Sequence, residues 1–307
     1  MVVRVARWVA LLCAAGLLIL PALTRGLADH DGLPVLLIDL ASHWQWLLLA
    51  GLLLMGTIAA WRQPRWALLL LAAPLPWWTA APRALEAPPG SAVLAIASAN
   101  VFYGHHDAQP LLRWVMAEQP DLLVVLELSP EFAEGLAALP GYPHRRVLPQ
   151  ADAFGLAVLS RHPLQDTQIV TDGDGIPQIQ TTLQWRGRRV ALTAMHPMPP
   201  MSTHYRRSLN DKLQTLARAA QARAEPSLVV GDLNATAWAA SFAGLQDRGL
   251  RRSTGLAPTW PTLGRGWFGI PIDHVLVSPH WAVVGSATGP DVGSDHLPIL
   301  VRLALPP

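Results

Sequence analysis

Polar side chains recur in this 307-residue sequence where apolar runs stop. Asn100 follows the run 96–99, Glu127 the run 123–126 and His196 the run 191–195. Asp232 and Asn234 follow or close 228–231, Asp273 and His274 open 275–277, and Asp295 and His296 precede 297–299. Taken singly, an Asn or Asp after a strand is a turn residue or a helix cap, and a lone histidine is structural. Six such positions, two of them carboxylate–imidazole neighbours, form a pattern of strand ends that carry function. Oxygen ligands without a histidine or cysteine cluster suit magnesium or manganese better than zinc. A carboxylate with an imidazole can orient and deprotonate water, as a hydrolase requires. The single cysteine, Cys13, excludes an internal disulfide framework and a Cys-based zinc site.

Short apolar runs bounded by turn signals predict strands at 93–99, 122–126, 154–160, 178–185, 189–196, 227–231, 272–278, 281–287 and 297–303. Residues 185–188 read as a hairpin turn. Helical spacing predicts helices over 108–118, 202–222 and 237–245. Two sets of strands with a few helices imply an α/β layered sandwich over residues 91–307.

The motifs sharpen this reading. Gly231-Asp232-Leu233-Asn234-Ala235 and Gly293-Ser294-Asp295-His296-Leu297-Pro298 resemble the signatures of the endonuclease/exonuclease/phosphatase superfamily. Ala99-Asn100, Leu126-Glu127, the strand 155–161, Thr193-Ala194-Met195-His196 and Ile272-Asp273-His274-Val275 resemble its other segments, in order. The resemblance implies a four-layer α/β/β/α sandwich and a divalent-metal-dependent phosphoesterase using Mg2+ or Mn2+. It implies that Glu127 and Asn100 hold the cation, with Asp295 nearby. Asp232 would orient or deprotonate water, and Asn234 would bond the phosphate or the nucleophile. His296, oriented by Asp273, and His196 would contact phosphate oxygens, with either Asp232 or His296 as the base. Tyr205 and Arg206 are candidates for substrate contact, set against a solvated helix face. The family commonly has Trp-Asn and Gln-Glu where this chain has Ala99-Asn100 and Leu126-Glu127, a departure beside the ligands and not in them. His105 and His106 read as loop histidines that either line the cleft or face solvent. His274 should point to the face opposite Asp273.

Charge and hydropathy divide the chain. Hydrophobic residues make up 51% and charged residues 14%, well under the roughly 25% charge of a soluble domain. Residues 1–90 hold six basic and four acidic residues, leaving 17 of each in residues 91–307. The runs 8–24, 44–61 and 66–82 carry no charge, and seven of the 13 tryptophans lie in this region, clustered at the run ends. Each run is close to the roughly 17 residues needed to span a bilayer, and indole rings favour the headgroup level. Residues 1–82 are thus expected to be an all-α membrane anchor of three transmembrane helices, with 83–90 as linker. Pro74 and Pro76 interrupt the third. Arg4, Arg7, Arg62 and Arg65 place the N-terminus and the second link inside. The protein is expected in the inner (plasma) membrane, multi-pass, with residues 91–307 periplasmic or extracellular.

A neutral catalytic part near a bilayer favours a phosphodiester substrate such as a lipid headgroup or small phosphodiester, or nucleic acid bound loosely, with a phosphomonoester as the third class. The alternatives are a non-specific nuclease acting on DNA or RNA at the outer face, and a binding module whose active site has decayed. No motif implies a protein partner.

Overall fold

The computed structural model describes residues 2–80, 87–88 and 90–305. The strands are β1 (Ala92–Asn100), β2 (Leu122–Leu126), β3 (His144–Leu148), β4 (Leu156–Ser160), β5 (Leu164–Thr171) and β6 (Pro177–Trp185). They continue with β7 (Arg188–Met195), β8 (Ser227–Asp232), β9 (Arg251–Arg252), β10 (Asp273–Val277), β11 (Ala282–Thr288) and β12 (Ile299–Leu305). One sheet runs β11-β12-β1-β2-β4-β3, the other β5-β6-β7-β8-β10-β9. Leu94, Ile96, Val124 and Leu126 from the first meet Ile179, Leu192, Val230 and Val275 from the second in one core. Helices α5 (Gln109–Glu118) and α6 (Pro130–Ala137) cover the first sheet's outer face, Leu111, Val115 and Phe132 packing on Leu123 and Val125. Helix α7 (Thr203–Ala222) covers the second through Leu209, Leu213 and Ala217. The layers are therefore α/β/β/α, as expected. Strands β2, β4 and β8 are buried along their whole length because a sheet lies on one face and a helix on the other.

The helix expected over 237–245 is not formed. Turns and short 3-10 pieces at Ala240–Phe242 and Gln246–Arg248 replace it. The reason lies outside the segment: the Ala240 N–H donates to Asp39 Oδ1 at 2.8 Å, and Trp238 Nε1 donates to the Pro76 carbonyl at 3.1 Å. Strands β3, β5 and the two-residue β9 and helix α6 were not anticipated. Much of β3 and β5 is polar and exposed, so their hydrophobic pattern is weak.

Two N-terminal helices, α1 (Val2–Gly26) and α3 (Gln45–Arg62), are long and apolar enough to cross a membrane. Helix α2 (Leu33–Ser42) lies between them. The third expected transmembrane helix, 66–82, is not a continuous α-helix. A 3-10 helix covers Pro64–Ala72, then α4 covers Leu75–Ala80, because Pro74 and Pro76 supply no N–H donors. Rises of about 2.0 and 1.5 Å per residue give these pieces about 27 Å together, the length of α3. They pack back along α1 and α3 through Leu69, Leu70, Ala72 and Leu75. Positions 81–82 and most of the expected linker 83–90 lie outside the described residues.

The helices dock directly on the sandwich. Arg206 on α7 is buried, with Nε on Asp39 Oδ2 at 3.0 Å and Nη1 donating to the His30 carbonyl at 2.9 Å. Ser42 Oγ donates to the Trp238 carbonyl at 3.2 Å, and Trp46 Nε1 to the Leu256 carbonyl at 3.0 Å.

Candidate active site

The strand registers bring the polar ends together. In the parallel β1–β2 pair Asn100 lies beside Leu126, so Glu127 is its neighbour across the sheet. In the antiparallel β8–β10 pair Asp232 lies opposite Asp273, and β7 delivers His196 alongside β8. Asn100 then bridges the two sheets: its Nδ2 donates to Glu127 Oε1 at 2.8 Å and to Asp232 Oδ2 at 3.2 Å.

Asp232 is the centre of the site and is fully buried. Its Oδ1 accepts the Asn234 N–H at 2.8 Å, while Oδ2 faces His196 Nε2 at 3.4 Å and His296 Nε2 at 3.7 Å. Burial and the adjacent Asp273 raise its pKa, against the pull of both histidines. His296 Nδ1 contacts Asp273 Oδ2 at 2.9 Å. Burial opposes charge on His296, but Asp273 and Asp232 outweigh it and push the imidazole up to about 10. Burial likewise would raise Asp273, yet His296 holds it below the usual carboxylate range.

Local backbone makes this possible. A Cβ on Gly231 would lie 1.9 Å from the Met195 carbonyl oxygen, so β7 and β8 approach closely only with glycine there. A Cβ on Gly293 would meet the His105 ring at 2.6 Å, which gives His105 a packing role. Glu127 and Asn234 adopt positive φ, 56° and 52°, as each chain turns out of its strand. Ser294 Oγ accepts the His296 N–H at 3.1 Å.

Asp295 and Glu127 are half-buried. Asp295 Oδ2 accepts Trp260 Nε1 at 2.9 Å, while its buried Oδ1 has no hydrogen-bond partner among the described residues. A carboxylate oxygen left in this way fits a cation ligand. Among the described residues Glu127 Oε2 accepts only the Tyr103 N–H, at 3.2 Å. Asn100 turns its nitrogen to the carboxylates and its Oδ1 to the Phe102 N–H at 3.0 Å, so here it acts as a donor. By distance Asp232, Asp273 and His296 form a second group, their ligand atoms within 4.8 Å of one another. Within it Asp273 Oδ1, like Asp295 Oδ1, has no hydrogen-bond partner among the described residues.

Asn234 Nδ2 donates to the Pro197 carbonyl at 3.0 Å, and His196 Nδ1 contacts the Ala153 carbonyl at 3.1 Å. Arg206 is not brought to this cluster. The Asp39 ion pair holds it against α2, and Arg207 pairs with Asp31. Tyr205 sits beside it in the first turn of α7, its N–H capped by Ser202 Oγ at 3.1 Å. His274 points away, to Thr254 Oγ1 at 3.1 Å and the Ala235 carbonyl at 2.8 Å. Trp260, which positions Asp295 and lies 6.4 Å from the His296 ring, was missed, because a tryptophan between Thr259 and Pro261 carries no catalytic signature.

The sequence model of the Endonuclease/Exonuclease/phosphatase family matches residues 97–296, from the second half of β1 to His296. The chain belongs to this family. Solved structures with the same fold include an endonuclease/exonuclease/phosphatase from Beutenbergia cavernae, at 21% identity and TM-score 0.57 over 69% of this chain and 72% of that one. Another is D. rerio TDP2 complexed with single strand DNA product, at 16% identity and TM-score 0.57 over 69% and 99%. A third is a functionally unknown conserved protein from Enterococcus faecalis, at 17% identity and TM-score 0.57 over 69% and 100%. No curated protein matches. Endonuclease/exonuclease/phosphatase enzymes are divalent-metal-dependent hydrolases of phosphoester bonds, and this chain is a hydrolase of that class.

Proposed function

We propose that the protein is a membrane-anchored phosphodiesterase dependent on Mg2+ or Mn2+, working by in-line attack of water. The observation that carries this is the buried Asp232, bridged by Asn100 to Glu127 and flanked by His196 and His296. Glu127 and Asp295 would hold the cation, with Asn100 after rotation of its amide. A bound cation would polarise the phosphoryl oxygen and stabilise charge in the displacement. Asp232, with a raised pKa, is suited to accept a proton from water. His296, kept cationic by Asp273, donates to a phosphoryl oxygen without giving up its charge. His196 supports a second oxygen, and Asn234 positions the nucleophile.

The position of the helices supports the anchor. Residues 27–43 and 76–80 contact the sandwich, whereas Arg4, Arg7, Arg62 and Arg65 belong to the opposite ends of α1, α3 and the Pro64–Ala72 helix. Three traverses account for that arrangement, with the sandwich outside the cytoplasm. The nuclease reading is weakened by the arginines. Nucleic-acid affinity rests on many phosphate contacts, but Arg145, Arg206, Arg251 and Arg252 bond carbonyls or Asp39, and Arg189 bonds Asp166 and Glu225.

The test is hydrolysis by the purified full-length protein of bis(p-nitrophenyl) phosphate, single-stranded DNA and phospholipid vesicles, with magnesium or EDTA. Magnesium-dependent cleavage of the small diester is expected. Absence of metal-dependent hydrolysis of every substrate overturns the enzyme reading of this site.

A further inference from the structure

A cleft of about 740 Å³ lies between α3 and the sandwich, within the range of about 300–1,000 Å³ typical of ligand sites. One wall is a stripe of α3, Trp46, Leu49, Ala50 and Leu53, at the i, i+3, i+4, i+7 spacing of a single helix face. The other is Leu256, Ala257, Pro258, Trp267 and Leu297. Trp46 joins the walls through the Leu256 carbonyl, and packs edge-on against Trp77 of α4 at 4.7 Å.

Two further features define the occupant. Helix α3 is long and apolar enough to cross a membrane, and its Leu47, Leu53 and Leu54 are exposed, so the cleft opens along a surface that hydrocarbon would cover. Beside it Leu263, Trp267 and Phe268 are 72%, 82% and 71% exposed. Bulky apolar side chains of this kind enter the headgroup–acyl boundary next to a membrane segment. The same loop holds the catalytic segment. Leu297, which lines the cleft, follows His296 and donates its N–H to the Thr259 carbonyl at 2.8 Å. Thr262 N–H donates to the Asp295 carbonyl at 2.9 Å.

We propose that this cleft seats an acyl chain of a membrane phospholipid and so presents that lipid's phosphodiester to Asp232 and His296. The inference rests on the phosphodiesterase reading above. In the hydrolysis it implies, the water oxygen bonds to phosphorus, one P–O ester bond of the lipid breaks, and the water's proton ends on the departing ester oxygen.

Binding is tested apart from catalysis. The full-length protein is placed in nanodiscs of phosphatidylethanolamine and phosphatidylglycerol containing phosphatidylglycerol with an acyl-chain diazirine, then irradiated and mapped by mass spectrometry. Adducts are expected within 255–258 or at Leu297, reduced about tenfold in an Ala50→Trp/Ala257→Trp variant that plugs the cleft. Adducts confined to residues 2–80, or unchanged by the plug, overturn the proposal. In the second arm the plugged variant should lose about tenfold in rate on phosphatidylglycerol and keep its rate on bis(p-nitrophenyl) phosphate. Undiminished lipid hydrolysis overturns it, as does equal loss on both substrates with an unchanged melting temperature. If the double variant does not fold, Ala257→Trp alone is used. A labelled cleft with no hydrolysis of either substrate by the unsubstituted protein supports the lipid seat and sinks the phosphodiesterase reading instead.

Discussion

Asp232 and His296 divide the work although the pKa of both is raised: burial, with Asp273 adjacent, readies Asp232 to take up a proton, while on His296 the Asp273 carboxylate outweighs burial and keeps the imidazole charged. Removing the charge on His296 removes a donor aimed at the phosphate, and Glu127→Gln removes a candidate cation ligand. Each of His296→Ala and Glu127→Gln is expected to lower kcat on bis(p-nitrophenyl) phosphate by about 10²–10⁴, with circular dichroism unchanged. A variant that keeps its rate loses its assigned role. The histidine next in sequence to Asp273 behaves differently. Buried His274 is pushed down to about 3, chiefly by desolvation and then by Arg252. The unfolded chain takes up this proton near pH 6.5 and the folded chain does not. Stability from His274 is therefore present above about 6.5 and falls as pH drops toward 3, by at most about 1.4 kcal/mol per unit. His43, also lowered by burial, acts in the same direction. Denaturant midpoints of the solubilised chain between pH 7.5 and 4.5 should fall, and His274→Gln should flatten that slope; a parallel slope would refute the His274 origin. The motif residues around Asp232 were legible because each ends, opens or precedes an apolar strand. The orientation of the Asn100 amide and the role of Trp260 were not, since both depend on partners distant in sequence.

Long-range partners also decide which elements were legible. Strand β6 alternates buried and half-buried side chains along its length, a period-2 signal that survives in sequence. The segment 237–245 has helical composition, but α2 and α4 claim its Ala240 N–H and Trp238 indole. Arg206 was drawn toward the substrate by its place at a helix start, whereas α2 supplies its carboxylate. The Arg206–Asp39 pair is buried on both sides, so removing one partner strands a charge at a cost of about 3–5 kcal/mol. Arg206→Met is expected to lower the melting temperature of the full chain strongly. Arg206→Met/Asp39→Leu should recover part of that loss, because the double change leaves no unpaired charge. A substrate role would give a different result, a raised KM with melting temperature unchanged.

For the whole molecule, docking bears on the proposed topology more directly than charge does. A bilayer cannot lie between groups that hydrogen-bond, so the α1–α2 connection shares a side with α7: His30 and Ala28 carbonyls accept from Arg206 and Asn210. The Thr79 carbonyl accepts Arg25 Nη2 at 2.6 Å, which returns the third segment to that side too. The basic ends around Arg7 and Arg62–Arg65 lie at the ends of α1 and α3 remote from those contacts, and α3 measures about 27 Å, close to the roughly 30 Å hydrocarbon core of a bilayer. Single cysteines in a Cys13→Ala background read this out. Asp29→Cys and Arg218→Cys, both at exposed positions, should react with a membrane-impermeant maleimide added to spheroplasts. Arg65→Cys, also exposed, should react only after permeabilisation, as the positive-inside rule requires. Reaction of all three from one side would mean that the apolar helices lie on the membrane rather than through it. Reaction of Arg65→Cys alone in the intact sample would keep the three traverses and place the catalytic sandwich in the cytoplasm.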